Sequence, residues 1–440
     1  MSLTTLLRRL FPLLLLLPLL LLLPLLLSAQ ESPEAKTQRM QWFADAKLGI
    51  FVHYGIYAVN GIDESWSFHN GKISYEDYMK QLKGFTASKY NPEAWATLFA
   101  ESGAKYAVLT SMHHDGVALW DSKVNELNVV KSTPAKRNLV EPFCKAMRDK
   151  NLKVGLYYSL LDWSHPDYPE FLREKKRYEK DSLRWESFLG FLNAQLTDLG
   201  TRYKPDLWWF DGDWEHSAEA WRAKEIRNKL FMQNPNTIIN SRLQGYGDYD
   251  TPEQGMPIGK PKAAYWELCM TINDSWGYQP TDVAFKSPNE IIRIFADCIS
   301  LGGNLLLDVG PREDGSIPEE EVAVLKELGR WTHKHAPAIY GTKAGVSRDW
   351  FSGPSTLSAD STKLYLFLEH KPNGAILLKG LKNKVRSAFV VGKGTNLNFN
   401  VQMKAWWSQH PGLLLIDVPE ESLDPQVTVI CLSLEGKLQQ

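Results

Sequence analysis

The stretch that most restricts the fold is Pro205-Asp206-Leu207-Trp208-Trp209-Phe210-Asp211-Gly212-Asp213-Trp214. Leu207 to Phe210 form an unbroken apolar run, the pattern of a strand buried on both faces in a parallel sheet. The run stops at a carboxylate, Asp211, and then at a glycine that lets the backbone turn. Alone, such an aspartate could simply cap the next turn or helix. Its context along the chain gives it a different reading.

Strand and helix patterns alternate on either side of this stretch. Strand patterns fall at Leu48–Gly55, Tyr106–Thr110, Lys153–Ser159, Thr237–Asn240, Ala264–Leu268 and Asn304–Val309. Between them lie helix patterns: one from Asn91-Pro92-Glu93, with Asn as N-cap and Pro at the first helical position, then 139–150, 178–199, 218–232 and 287–301. A closing helix spans Pro318 to His335. That makes seven strands with an eighth not evident. Strict alternation at these intervals predicts a (β/α)8-like, TIM-type barrel rather than an open doubly wound sheet.

The texture changes around Ala336 to Gly341. Short apolar strands at Lys363–Leu368, Gly374–Leu378, Ser387–Val391, Leu413–Val418 and Val427–Leu434 are separated by polar turns such as Lys371-Pro372-Asn373-Gly374. That spacing predicts a smaller all-β sandwich packed against the barrel. At the other end, Arg8 and Arg9 precede a Leu/Pro run from Leu10 to Leu27, and Ser28-Ala29-Gln30 supplies small residues for cleavage. This reads as an export signal. The expected organisation is a signal peptide at 1–29, a catalytic barrel at 30–340 and a β-sandwich at 341–440. The mature protein would be periplasmic or secreted, with no stable membrane association after signal removal.

A formal net charge of -1 gives no electrostatic case for nucleic acid as a partner. The four cysteines, Cys144, Cys269, Cys298 and Cys431, show no Cys-x-x-Cys spacing and read as buried thiols rather than a zinc site. The 16 tryptophans fit both an aromatic core and a carbohydrate site, since sugar C–H faces pack on indole rings.

Candidate chemistry follows the strands. His53 ends the first and His113-His114 follow the second; Tyr158 ends the third, on the opposite face to Tyr157. Trp209 and Asp211 share a face of the fourth, and Arg242 follows the fifth. In a barrel of this kind the C-terminal strand ends form the active-site floor, so these side chains converge. Two classes of enzyme compete for the set. A metal-dependent barrel hydrolase would use the histidines as ligands, but it expects His-x-His on an early strand, where this chain has a single His. A glycosidase needs two carboxyl groups and donors that recognise hydroxyls.

The motifs resemble glycoside hydrolase family 29, the α-L-fucosidases. Lys47-Leu48-Gly49-Ile50-Phe51-Val52-His53-Tyr54-Gly55 is similar to the family's opening strand, and Glu64-Ser65-Trp66-Ser67-Phe68 to the loop after it. Gly103 to Gly116 resembles the second strand with its double histidine. Tyr157-Tyr158-Ser159, Trp209-Phe210-Asp211-Gly212, Ser275-Trp276-Gly277-Tyr278 and Gly302-Gly303-Asn304-Leu305-Leu306-Leu307 complete the series in family order.

The resemblance implies retaining hydrolysis of terminal α-linked fucose from oligosaccharides or glycoconjugates, with no metal and no cofactor. Asp211 would be the nucleophile. His53, Trp66, His113, His114, Tyr158, Trp209, Arg242 and Trp276 would hold the sugar. Trp276 would cover the C6 methyl, a contact worth about 1 kcal/mol. For the acid/base, Glu253 matches the position used by bacterial members, and Glu267 is its rival; Asp213 and Glu215 lie near the nucleophile in sequence. The Thr251-Pro252-Glu253-Gln254 and Glu64-Ser65-Trp66 segments lean toward α-1,3 and α-1,4 linkages.

Overall fold

The computed structural model describes residues 31–407, 409 and 411–439. The proposed signal peptide lies outside the described residues. By internal contacts the chain separates into Met1–Gln41 and Trp42–Gln440. The described part of the first unit holds the opening turns of a helix, Pro33–Ala46. Among the described residues no helix is long and apolar enough to cross a membrane.

Seven parallel strands build the main sheet: β1 Leu48–Val52, β2 Tyr106–Met112, β3 Lys153–Ser159, β4 Leu207–Asp211, β5 Ile238–Ile239, β6 Glu267–Thr271 and β7 Asn304–Val309. Their order is β5-β4-β3-β2-β1-β7-β6. Every residue of β1, β2, β4, β6 and β7 is buried. Helices cover the outside, which is why these strands show apolar runs rather than alternation. The helices are α1 Pro92–Glu101, α2 Val140–Asp149, α3 Ser182–Tyr203, α4 Ala223–Gln233, α5 Pro288–Ser300 and α6 Glu319–Ile339. Asn91 caps α1 as the sequence predicts, its Oδ1 accepting the Ala94 N–H at 2.9 Å.

The eighth position of the ring is filled by a segment with no strand-like sequence. Parallel bridges pair Asn240 with Tyr249, Asp250 with Trp266 and Glu253 with Cys269. The Asp248 N–H donates to Ile239 O at 2.7 Å, Glu267 N–H to Asp250 O at 2.9 Å, and Gln254 N–H to Cys269 O at 2.9 Å. Residues 248–254 thus close the gap between β5 and β6. Pro252, which offers no N–H, and the surrounding carboxylates hide this segment from periodicity. The sixth strand begins at Glu267 rather than Ala264. The helix expected over 218–232 is broken at Arg222, whose φ is 56°, the left-handed region that stops a helix.

Two antiparallel sheets follow. With β8 Lys343–Ala344, β9 Ser355–Leu357, β10 Lys363–Leu368, β11 Ile376–Leu378, β12 Val385–Val390, β13 Phe399–Gln402, β14 Leu413–Ile416 and β15 Thr428–Leu434, the orders are β8-β9-β10-β15-β12 and β11-β14-β13. Leu364, Leu366, Leu378, Ile416, Ile430 and Leu432 are core residues between them. The β region is fastened to α6: the Trp331 indole donates to Val427 O at 2.8 Å. Buried Asp424 accepts from Arg330 at 3.0 Å and Lys334 at 2.5 Å. All four cysteines are buried and free.

Candidate active site

The C-terminal ends of the barrel strands enclose a cavity of about 160 Å³. Its lining includes Phe51, His53, Glu64, Trp66, His113, Tyr157, Trp209, Asp211, Trp214, Arg242, Glu253 and Trp276. Asp211 ends β4, where Gly212 at φ 81° turns the chain away; a Cβ at that glycine would collide with Leu161.

Three groups surround the Asp211 carboxylate. Arg242 Nη1 donates to Oδ1 at 2.7 Å, and the Tyr157 hydroxyl donates to Oδ2 at 3.0 Å. His114 Nε2 lies 3.6 Å from Oδ2. The second guanidinium nitrogen of Arg242 donates to Glu253 Oε2 at 2.5 Å, so a single side chain spans both carboxylates. Arg242 also lies over the Trp209 ring, 4.6 Å from its centroid. Burial alone would lower the Arg242 pKa, but the attraction of Asp211 and Glu253 carries it well above the ordinary value. The cation is therefore fixed.

Each of the three histidines is anchored through Nδ1. His53 meets Asp308 Oδ1 at 2.6 Å, His113 meets Ser65 Oγ at 2.7 Å, and His114 meets Ser159 Oγ at 2.5 Å. Ser159 spends its own hydrogen on Leu161 O at 2.7 Å. The Ser159 oxygen must then accept, so His114 carries its proton on Nδ1 and Nε2 is a bare acceptor. That Nε2 is buried without a hydrogen-bond partner. Burial holds all three rings neutral, with His114 lowered to about 3, also by His69 and Arg242.

The walls are aromatic. Phe51 lies 4.9 Å from Trp209 and 6.0 Å from Trp276, ring centre to ring centre, and Trp276 lies 4.9 Å from His53. Trp66 and Trp214 stack at 6.2 Å, 17° apart, with Trp214 half exposed. Glu64 is buried, its Oε1 accepting the Gly277 N–H at 2.6 Å, and burial pushes its pKa up to about 7.

His53, Trp66, His113, Trp209, Asp211, Arg242, Glu253 and Trp276 therefore meet around one cavity, with His114 directly behind Asp211. Tyr158 does not join them, and this expectation is corrected. Tyr157 pairs with Trp209 across β3 and β4 and shares its inward face. Tyr158 points to the helical layer, where its hydroxyl accepts from Gln195 of α3 at 3.0 Å. Glu267 is fully buried outside the lining, accepting from the Trp209 indole at 3.0 Å and from the Tyr106 hydroxyl. Burial raises its pKa to about 7.

Glu64, Tyr157, Trp214 and Asp308 were not singled out by sequence reasoning. Asp308 had a signal: it is the one charge in a buried apolar strand, and a buried carboxylate demands a partner. Among the described residues, three donor-type side chains approach within 4.8 Å of one another at Glu170, Glu215 and His216 rather than at the strand-end histidines. They are mutually engaged: His216 contacts Glu170 at 3.1 Å, and Tyr168 and Trp163 donate to Glu215.

Comparisons with known proteins agree with this geometry. The family model for alpha-L-fucosidase matches residues 27–337. Tissue alpha-L-fucosidase of Homo sapiens is 31% identical over 411 residues, covering 86% of this chain and 85% of that protein. That of Rattus norvegicus is 34% identical over 335 residues, covering 69% and 70%. Among solved structures, alpha-L-fucosidase isoenzyme 1 from Paenibacillus thiaminolyticus superposes with a TM-score of 0.83 at 34% identity, covering 91% of this chain and 99% of that one. A GH29 alpha-L-fucosidase from Bacteroides thetaiotaomicron, trapped as a covalent intermediate with 2-fluoro-fucosyl fluoride, gives 0.80 at 28%, covering 91% and 96%. With its parallel barrel, its strand-end cavity and these relatives, the chain belongs to the alpha-L-fucosidases of glycoside hydrolase family 29.

Proposed function

We propose that this enzyme removes terminal α-linked L-fucose with net retention, through a glycosyl-enzyme on Asp211, with Glu253 as acid/base. The observation that carries the reading is the Arg242 guanidinium holding Asp211 and Glu253 together at the cavity. One guanidinium bound to both carboxyl groups keeps them close, and a retaining pair needs a short separation, about 5–5.5 Å. The trapped intermediate of the Bacteroides thetaiotaomicron relative supports the same class of mechanism.

In the first step an Asp211 oxygen attacks the anomeric carbon as Glu253 gives its proton to the departing glycosidic oxygen. In the second, Glu253 takes a proton from water, whose oxygen displaces Asp211 and regenerates the carboxylate. Arg242 and Tyr157 fix the angle of the nucleophile. The bare Nε2 of His114 beside Asp211 suits a sugar hydroxyl that donates to it. His53, His113 and Glu64 add polar partners, and Phe51 with Trp276 offers a dry wall for the C6 methyl. Glu253 sits at the exposed edge of the site, where leaving groups differ.

The reading extends to exo action on oligosaccharides with a lean to α-1,3 and α-1,4 linkages, and to an exported protein released from its leader. Assay on defined fucosyl linkages tests the first, and N-terminal sequencing of the processed protein the second. The acid/base role is tested with Glu253→Ala. A general acid matters most for poor leaving groups. Turnover of a natural oligosaccharide should fall by at least ~100-fold. An aryl fucoside with an acidic phenol should still fucosylate the enzyme, and azide, displacing Asp211 from the β-configured intermediate, should restore turnover as α-fucosyl azide. Equal losses on both substrates without azide rescue would overturn the assignment.

A further inference from the structure

Of the 16 tryptophans, three are exposed among the described residues: Trp214 at the fucose cavity, and Trp406 and Trp407. The last two stand 91% and 74% exposed in the loop between β13 and β14, with ring centres 5.5 Å apart and planes at 90°. Met403 and Val401 beside them are exposed as well. The base of the same loop, at Met403, Ala405, Pro411 and Gly412, lines a second cavity with Leu413 and the Lys379-Gly380 turn. Its volume is about 340 Å³, roughly twice that of the cavity at Asp211. Lys379 and Lys404 are exposed there, and neither has a carboxylate partner among the described residues.

We propose that this loop and cavity form a second glycan-binding site, for an anionic glycan bearing carboxylate or sulfate groups on the same glycoconjugate that supplies fucose to the barrel. The exposed indoles offer faces to the C–H surface of sugar rings. The unpaired lysines supply the complementary charge, and the concave floor fits discrete rings better than a flat bilayer. The fucose cavity, at about 160 Å³, is on the scale of a single terminal sugar, so the rest of a branched substrate extends beyond it. The site rests on the glycosidase reading only for the class of its ligand. Its binding is measurable with the fucose cavity blocked.

The test uses the full mature chain, electrophoresed in native gels containing a sialylated, fucosylated mucin, with saturating L-fucose present. The same mucin after desialylation and a sulfated fucan separate carboxylate from sulfate as the recognised group. Wild type should be retarded by at least one of the acidic probes, and more strongly at low salt. Trp406→Ala/Trp407→Ala should weaken that binding about tenfold, while kcat/KM on an aryl fucoside and the melting temperature stay unchanged. Trp406→Phe/Trp407→Phe should recover most of the affinity, and Lys379→Ala/Lys404→Ala should flatten the salt dependence. Unaltered retardation of the alanine variant, or no retardation of wild type by any probe, overturns the proposal. So does a wild-type dimer that the alanine variant dissolves, or tryptophan-dependent binding to phosphatidylglycerol vesicles without glycan binding.

Discussion

Glu267 offers the most informative perturbation, because structure and chemistry assign it a role that activity alone would misread. Its carboxyl is fully buried and accepts from the Trp209 indole and the Tyr106 hydroxyl. Glu267→Ala leaves both donors buried without an acceptor, at about 1–3 kcal/mol each, so the loss is about 4 kcal/mol. Taking about 2.1 cal/mol/K per residue over ~400 residues, the unfolding entropy is near 0.8 kcal/mol/K. The melting temperature should therefore fall by about 5 °C. Glu267→Gln keeps the shape: its amide oxygen accepts from Trp209 and its NH2 group donates to the Tyr106 oxygen. That variant should melt within about 2 °C of wild type. Calorimetry measures the shifts. In parallel, activity on an oligosaccharide and on an aryl fucoside should drop together in Glu267→Ala, because Trp209 loses its anchor, and azide should rescue neither. A Glu267→Gln protein with wild-type melting that loses oligosaccharide turnover while azide accelerates its turnover of the aryl fucoside would refute the reasoning. Glu267 would then be the acid/base.

The two tyrosines of β3 should separate cleanly. Tyr157→Phe removes a hydrogen bond to the Asp211 carboxylate and should lower kcat about 10–100-fold, whereas Tyr158→Phe should leave kcat unchanged and cost about 1 kcal/mol in denaturant unfolding. Asp308→Ala frees His53 and should raise KM for fucosides and weaken inhibition by L-fucose, measured by steady-state kinetics. Stability should depend on pH through two opposing sets of buried groups. Burial raises the carboxyls of Asp115 to about 6, Glu64, Asp162 and Glu267 to about 7, and Glu321 to about 8. Their contribution is whole below about 4.5 and is lost as pH rises toward 8. Burial lowers His114 to about 3 and His165 and His335 to about 4. Their contribution is whole above about 6.5 and is lost as pH falls toward those values. Above about pH 4.5 the melting temperature should fall, gently to about 6.5 while the histidines offset part of the carboxyl loss and most steeply from there toward 8, and below about 4 it should fall again as the histidine contribution is lost.

The sequence shows elements whose burial repeats along a single segment. The apolar runs of β3 and β7 were legible to the residue, and so was the Asn91 cap. The double histidine and the Asp211-Gly212 turn marked the strand ends that carry the site. What escaped was decided by partners distant in sequence. The closing segment 248–254 is polar and contains Pro252, and only pairing with Asn240, Trp266 and Cys269 makes it part of the ring. Alternation within β3 separates Tyr157 from Tyr158 but cannot say which face turns inward; the register with Trp209 does. The anchors of His53, His113 and His114 lie 255, 48 and 45 residues away. Such pairs are visible once the barrel is closed.

The central claim is that Asp211 forms the covalent bond to fucose. Incubation with 2-fluoro-fucosyl fluoride, whose fluorine slows breakdown of the intermediate, followed by proteolysis and tandem mass spectrometry, tests it directly. The account predicts one added 2-fluoro-fucosyl group, on the peptide containing Leu207–Trp214 and localised to Asp211, with loss of activity in step with labelling. Label on Asp213, Glu215 or Glu253, or no adduct together with β-L-fucose as the first product released from an α-fucoside, would contradict it.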